Sequence, residues 1–334
     1  MECMRTLPLG KNGPQVPVIC FGTFPIGGGF GAIPESQAVA TVHAALDAGL
    51  TFIDTAEGYS NAEELLGKAL GRRRQEVFLA TKLSRNNHSP DQIDDALERS
   101  LNNLQTDYVD LYQIHSPSNT YPTDQTLDRF MYHRDAGRIR YIGVSNFTAD
   151  QTKNASRDVI LHSSQPRYNL FFRDVEAEVL PACERKGIGV IAHSVLAKGL
   201  LGGKYLPGHE FEQDDQRHDW EFYRGTVFER IYETAVRLDG WARDQGRDLA
   251  QLALAWPVAH PAVTSSIVGM RTVRQVEMNV SAADWELTKL ELAEIEQVLG
   301  DLRLHFYHGP NREYYGFRDE GDPEYIGPDR SMLD

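Results

Sequence analysis

Apolar runs of strand length recur along the chain and alternate with segments in which apolar residues return every three or four positions. Eight short runs, at 18–22, 51–54, 77–81, 108–114, 139–144, 162–165, 189–193 and 266–268, have the length and composition of buried strands. Between and after them, segments 36–49, 61–73, 90–104, 126–138, 148–157, 175–187, 226–245 and 272–283 carry the helical period. Several of these begin after Ser, Asn, Asp or Pro and stop at Gly, as helix ends require. Strand and helix in strict alternation predict a parallel sheet built from βαβ units. Eight units predict that the sheet closes, so the expected fold is α/β, a (β/α)8 TIM barrel.

Three segments stand outside that repeat. Ahead of it, two short apolar stretches flank Asn12-Gly13, the turn chemistry of a β-hairpin. Residues 196–226 form a long β7-α7 connection rich in Gly, Asp, His and aromatics, as expected of a lid or insert. Residues 301–334 are polar but rich in aromatics, and are expected to pack as a tail over the barrel mouth. The chain then reads as one domain over 1–334, with the barrel at about 17–300.

The chemistry follows from where the polar residues fall. In such a barrel the carboxyl ends of all strands open on one face, and that is where sites are built. Here nearly every apolar run ends in a reactive or hydrogen-bonding side chain: Asp54 and then Tyr59 after the second, Lys82 after the third, His115 after the fourth, Ser145 and Asn146 after the fifth, Gln165 after the sixth and Ser194 after the seventh. A phenol gives its proton to a carbonyl oxygen at neutral pH only if its pKa, about 10 when unperturbed, is brought down. An adjacent ammonium does this by favouring the phenolate. Lys82 is the candidate ammonium, Asp54 its counter-charge, and His115 a hydrogen-bonding group for the substrate oxygen. The set supplies a proton and stabilises an oxyanion, and it contains no evident metal site.

Composition narrows the partners. A net charge of −14 argues against surfaces that grip nucleic acid or anionic membrane, so small molecules are the expected partners. Three widely spaced cysteines, Cys3, Cys20 and Cys183, offer neither a disulfide framework nor zinc-ligand spacing. No basic-then-apolar leader opens the sequence and no apolar stretch reaches the roughly 20 residues of a membrane span, so a cytoplasmic protein is expected.

The segments FIDTAEGY, VFLATK, SLNNLQTDYVDLYQIH, GRIRYIGVSN, SQPRYNLFFR, GLLGGKY and IVGMRTVRQVEMN, in this order, resemble the aldo-keto reductases from Met4 to about Gly300. The resemblance implies a catalytic tetrad at Asp54, Tyr59, Lys82 and His115, with Tyr59 as general acid for carbonyl reduction, or base for alcohol oxidation, and hydride delivered by a nicotinamide cofactor. It implies that Ser145, Asn146 and Gln165 hold the nicotinamide carboxamide, with Gly22, Thr23 and Phe24 beside that end. Ser194, Leu196, Gly199 and Lys204 resemble the family's pyrophosphate strap. Gly269, Met270, Arg271, Gln275 and Asn279 resemble its site for the adenosine 2′-phosphate and adenine, at a helix N-terminus that favours an anion. A guanidinium at Arg271 suits a phosphate, so the expected cofactor is NADPH/NADP+ rather than NADH. One departure is His193, which stands where many relatives have a Tyr that stacks on the nicotinamide. An imidazole there offers less area and can titrate.

Three rival readings bear on the same residues. The stretch GGGFGA at 27–32 mimics a dinucleotide fingerprint, with Asp54 a little over twenty residues on. That fingerprint needs a strand running straight in and a helix straight out, whereas Pro25 precedes these glycines and Pro34 follows them, so a loop is expected. Lys82 could instead be the Schiff-base nucleophile of a barrel lyase, which leaves Ser145, Asn146, Gln165 and Arg271 without work. A cofactor-binding regulatory subunit of the potassium-channel β type shares the family's fold. The loop aromatics Trp220 and Tyr223 with His218, and the tail residues His305, Tyr307, Tyr314 and Tyr315, suggest a polar, ring-containing substrate such as a sugar-like ketone.

Overall fold

The computed structural model describes residues 4–218, 220–308 and 313–317. Eight parallel strands, β3 (Ile19–Gly22), β4 (Phe52–Asp54), β5 (Phe78–Leu83), β6 (Val109–Ile114), β7 (Ile139–Ser145), β8 (Ser163–Gln165), β9 (Gly189–Ala192) and β10 (Val263–Gly269), pair in sequence order, and β10 returns to β3 to close the barrel. All eight expected strands are present, with ends differing by a few residues.

A hairpin precedes them, β1 (Thr6–Pro8) against β2 (Gln15–Pro17). It closes the amino end of the barrel. Leu9 and Val16 are fully buried with the inward-facing Cys20, Phe52, Ala80, Leu111, Ile191 and Ile267. Polar bonds fasten this plug: the Lys11 N–H donates to the Gly187 carbonyl at 2.8 Å, and the Ser265 hydroxyl donates to the Pro17 carbonyl at 2.8 Å. The interior below the site is therefore packed side chain and not a channel.

The outer layer holds α1 (Glu35–Asp47), α2 (Ala62–Leu70), α3 (Pro90–Leu104), α4 (Thr123–Asp135), α5 (Ala149–Ala155), α6 (Val179–Lys186), α7 (Gly225–Asp244), α8 (Leu249–Val258), α9 (Val273–Val280) and α10 (Lys289–Leu299). Ser89 with Gln92, Thr148 with Gln151, Asp248 with Gln251 and Thr288 with Glu291 form capping boxes that fix four of the starts. Two helices escape the periodic reading. α8, LAQLALAWPV, is buried along most of its length, so it has no polar face to betray its period, and Pro257 reads as a breaker. α10 packs on α7 and lies beyond the eight-unit repeat.

Gly27–Ala32 forms turns, and α1 begins only after Pro34, so no strand–turn–helix fingerprint exists there. In the tail, β11 (Leu304–His308) pairs antiparallel with β12 (Glu313–Phe317). The Leu304 N–H donates to the Phe171 carbonyl at 2.8 Å, which sets the start of this hairpin against the loop after β8, on the carboxyl side of the barrel. Residues 309–312 and 318–334 of the expected tail lie outside the described residues, as do the side chains of His305, Tyr307, Tyr314 and Tyr315. No helix among the described residues is long and apolar enough to cross a membrane.

Candidate active site

The strand ends bring the four candidate catalytic residues together. Asp54 is the last residue of β4, Lys82 lies near the end of β5, and His115 follows β6, while Tyr59 sits in the turn between β4 and α2. The strands are staggered, with Asp54 opposite Ala80 and Lys82 opposite Gln113, and the Lys82 side chain spans the offset to reach the Asp54 carboxylate.

Lys82 is the hub. Its ammonium, fully buried, donates to Oδ1 of Asp54, to the Thr55 carbonyl at 2.8 Å and to the hydroxyl of Tyr59 at 3.4 Å. Burial by itself would pull this ammonium down; the Asp54 carboxylate and the Tyr59 oxygen outweigh it and hold it above the ordinary lysine value. Removing either partner of such a buried pair leaves an uncompensated charge, a loss of about 3–5 kcal/mol.

Tyr59 is poised between opposing influences. Burial pushes its phenol up, the Lys82 charge pulls it down, and the outcome is a rise above the ordinary tyrosine value. This corrects the expectation that Lys82 brings the phenol toward neutrality: the lysine does pull it down, but at this half-buried site desolvation is the larger effect. The phenol is flanked by two rings set edge-on, Phe24 at 5.1 Å and His115 at 5.5 Å between centroids. Burial and the nearby Lys82 charge push the His115 imidazole down to about 3, so it is neutral near pH 7.

Below the tetrad lies a residue the sequence reading missed. Gln113, fully buried on β6, donates to Oδ2 of Asp54 at 3.1 Å, and Gln165 donates to the same oxygen at 3.0 Å. Gln113 shares the inward face of β6 with Leu111, two residues earlier, and that period of two was the signal available in VDLYQIH.

The expected carboxamide residues also cluster. The Ser145 hydroxyl donates to the Gln165 carbonyl at 2.9 Å, and the Asn146 amide donates to the His115 carbonyl at 2.9 Å and the Ser145 hydroxyl at 3.1 Å. Those two acceptors orient the amide, so Oδ1 of Asn146 faces Nε2 of His193 at 3.0 Å and that nitrogen carries the proton. Asn146 has a left-handed backbone, φ 58°. Beyond β9, Ser194, Ala197 and Lys198 also have positive φ, a concentration of sparsely populated conformations in the expected strap. Leu196 and Gly199 lie in that segment half-buried, and Lys204 is exposed with its ammonium 5.3 Å from the Tyr205 ring centroid.

Around the first and last strands, backbone approaches closely. A Cβ on Gly22 would stand 2.7 Å from Ile267, and one on Gly269 would stand 2.4 Å from the Pro25 ring, so a side chain at either position would displace that neighbour. The hydroxyl of Thr23 is buried with no hydrogen-bond partner among the described residues. Met270 and Asn279 are buried, whereas Gln275 is exposed and accepts from the Arg271 N–H at 2.7 Å. Arg271 itself donates from its guanidinium to the carbonyls of Phe30, Gly31 (3.2 Å) and Ala32 (3.1 Å), tying the glycine-rich loop to the start of α9. Trp220 and Tyr223 are buried, Tyr223 against Tyr205 and Phe211 of the loop and Phe228 of α7, so they anchor the long loop to the core.

A closed eight-stranded barrel with a buried Asp54–Lys82 pair beside half-buried Tyr59 and His115 at its carboxyl end points to an oxidoreductase class, and the comparisons agree. Residues 18–299 match the Aldo/keto reductase family, and the chain belongs to it. An aldo-keto reductase of Bacillus subtilis, YhdN, is 35% identical over 311 residues, covering 89% of this chain and 94% of the relative. A probable voltage-gated potassium channel subunit beta of Arabidopsis thaliana is 33% identical, covering 89% and 97%. Among solved structures, a glycerol dehydrogenase from Gluconobacter oxydans superposes with a TM-score of 0.82 at 29% identity, covering 98% of this chain and all of that one.

The family works with nicotinamide cofactors. The residues present fit such a group: a buried hydroxyl on Thr23 lacks a partner, two glycines keep the first and last strand ends free of side chains, and amide donors and acceptors gather at Asn146 and Gln165.

Proposed function

We propose that this chain reduces an aldehyde or ketone to an alcohol, or runs the reverse reaction, with Tyr59 as general acid/base and NADPH as cofactor. The observation that carries the reading is the buried Lys82 ammonium standing between the Asp54 carboxylate and the Tyr59 hydroxyl, 3.4 Å from the latter. When bound, the cofactor supplies or accepts the hydride. Everything else falls to the chain. Tyr59 is kept protonated near neutral pH by burial, which is the form that gives a proton to a carbonyl oxygen. Lys82 stabilises the phenolate that remains, and Asp54 keeps Lys82 charged and in place. His115, neutral, offers a hydrogen bond to the substrate oxygen without adding charge.

On the cofactor side, Ser145, Asn146 and Gln165 take the carboxamide, with Gly22, Thr23, Phe24 and His193 around the nicotinamide end. Ser194, Leu196, Gly199 and Lys204 take the pyrophosphate. Gly269, Arg271, Gln275 and Asn279 take the adenosine end, and Arg271 exchanges its loop carbonyls for the 2′-phosphate. A small hydroxylated carbonyl or polyol is the substrate class favoured by the likeness to the glycerol dehydrogenase.

The charged state of Lys82 opposes the lyase reading, since an amine nucleophile must be neutral. The regulatory-subunit reading has one specific support, the channel-subunit relative. A single experiment separates these: Tyr59→Phe removes nearly all NADPH-dependent turnover across a carbonyl panel and leaves NADPH binding within about threefold, because the phenol acts on the substrate. Equal turnover in the variant, or none in the parent, rejects the reductase assignment.

A further inference from the structure

Glu57 stands between Asp54 and Tyr59 in sequence, and the chemistry above gives it nothing to do. Its side chain is only 10% exposed. Oε1 accepts the Ser84 N–H at 2.6 Å and the Asn87 amide at 3.0 Å, while Oε2 accepts from Arg99 on α3 at 3.4 Å. Ser84 is two residues beyond Lys82. One carboxylate therefore spans from the turn that carries Tyr59 to the segment that leaves the Lys82 strand.

The turn is fastened to β5 at both flanks, where the Thr55 N–H donates to the Ala80 carbonyl at 2.9 Å and the Thr81 hydroxyl donates to Glu63 on α2 at 2.6 Å, and Glu57 is the tie made from its middle. Its internal bonds, Tyr59 N–H to the Ala56 carbonyl at 3.0 Å and Ala62 N–H to the Tyr59 carbonyl at 2.9 Å, set its shape. Ser60, next to the phenol, is held at φ 49°, a conformation that a serine leaves when it is free to do so. The pair with Arg99 is the weaker end, because that guanidinium is 56% exposed and solvent screens it. The inner bonds, a carboxylate accepting from a backbone N–H and a side-chain amide, are short and shielded.

We propose that Glu57 is a positioning residue that sets the separation between the Tyr59 hydroxyl and the Lys82 ammonium by tying the turn of one to the strand exit of the other. Its effect on turnover rests on the reductase reading; its effect on the Tyr59 phenol does not.

The test uses the full chain with Glu57→Ala, Glu57→Gln and Arg99→Ala. Three readouts are taken: kcat and KM against pH with NADPH and a carbonyl, NADPH binding by fluorescence, and the ultraviolet titration of Tyr59 by difference against the same protein bearing Tyr59→Phe. Glu57→Ala is expected to lower kcat on the order of tenfold to a hundredfold with NADPH binding unchanged. Its Tyr59 titration and alkaline limb move to higher pH, since burial still pushes the phenol up while Lys82 pulls it down less. Glu57→Gln keeps an oxygen on the Ser84 N–H and retains most of the rate, and Arg99→Ala behaves as the parent. Wild-type kcat and titration in Glu57→Ala overturn the proposal, as does an equal loss in Arg99→Ala. Should Glu57→Ala fail to fold, Glu57→Asp is too short to reach both Ser84 and Asn87 and must move the titration the same way; an unmoved titration there overturns the proposal. If Tyr59 titrates as expected but no protein turns over, the reductase reading fails and the tether stands.

Discussion

Gln165 donates to Oε1 of Gln113 at 3.1 Å, and both side chains also donate to the same oxygen of Asp54. The carboxylate that anchors Lys82 is thus held from beneath by two neutral amides, which stabilise its charge without competing for the ammonium.

Changing Gln113 therefore reaches the Asp54–Lys82 pair from below. Gln113→Leu deletes one donor to Asp54 and one acceptor for Gln165, and about 1–3 kcal/mol of stability is expected to go with it. Gln113→Glu sets a second carboxylate beside Asp54, where two like charges resist joint ionisation. It is expected to be the more damaging, with a kcat that falls further and depends more steeply on pH. Urea melts and pH profiles of the two variants check this; a Glu variant at least as stable as the Leu variant contradicts it.

For Arg271, the geometry and the cofactor assignment predict different outcomes. If the guanidinium takes the 2′-phosphate, Arg271→Ala raises KM for NADPH on the order of tenfold or more while KM for NADH changes little, since the extra phosphate is what a charged fork recognises. If it serves only the carbonyls of Phe30, Gly31 and Ala32, both constants rise together. Loosening of the 27–32 loop, read by limited proteolysis, is expected either way.

The histidines give the protein an acid-side weakness. His88, buried with Nδ1 3.2 Å from the Thr126 hydroxyl, is pushed down by burial from 6.5 to about 4. The unfolded chain takes up this proton near pH 6.5 and the native one refuses it until about pH 4. Stability from this group is thus complete above pH 6.5 and is lost as pH falls toward 4, with a slope of at most about 1.4 kcal/mol per pH unit. His88→Gln should flatten the change in urea midpoint between pH 7 and pH 5; an unaltered difference would count against it. His115 adds a similar slope that extends lower, to about pH 3.

The clustering of Asp54, Tyr59, Lys82 and His115 was legible because four polar side chains interrupt or follow apolar runs at their carboxyl ends, and a barrel leaves those ends only one face to open on. Gln113 was harder to see, since it lies inside VDLYQI and reads as a polar blemish unless the inward period of Leu111, Gln113 and His115 is followed. Arg271 shows a different limit. Its place at a helix start is local and readable, but its acceptors lie some 240 residues away on a glycine loop. The level of the Tyr59 phenol was misjudged for a related reason: the lysine beside it is visible in the sequence, whereas the degree of enclosure is a property of the folded whole. The buried α8 was invisible because a helix surrounded on most sides has no polar stripe. Trp220 and Tyr223 suggested a ligand surface by composition, yet they pack inward and join the main core, Tyr223 against Phe228 of α7.

With Leu9 and Val16 lodged in its floor, the barrel is a vessel with one door. Reactant and product must pass the same rim in turn, so a spent molecule slow to depart obstructs the next arrival. Turnover would then be throttled by traffic at that threshold as much as by the chemistry behind it.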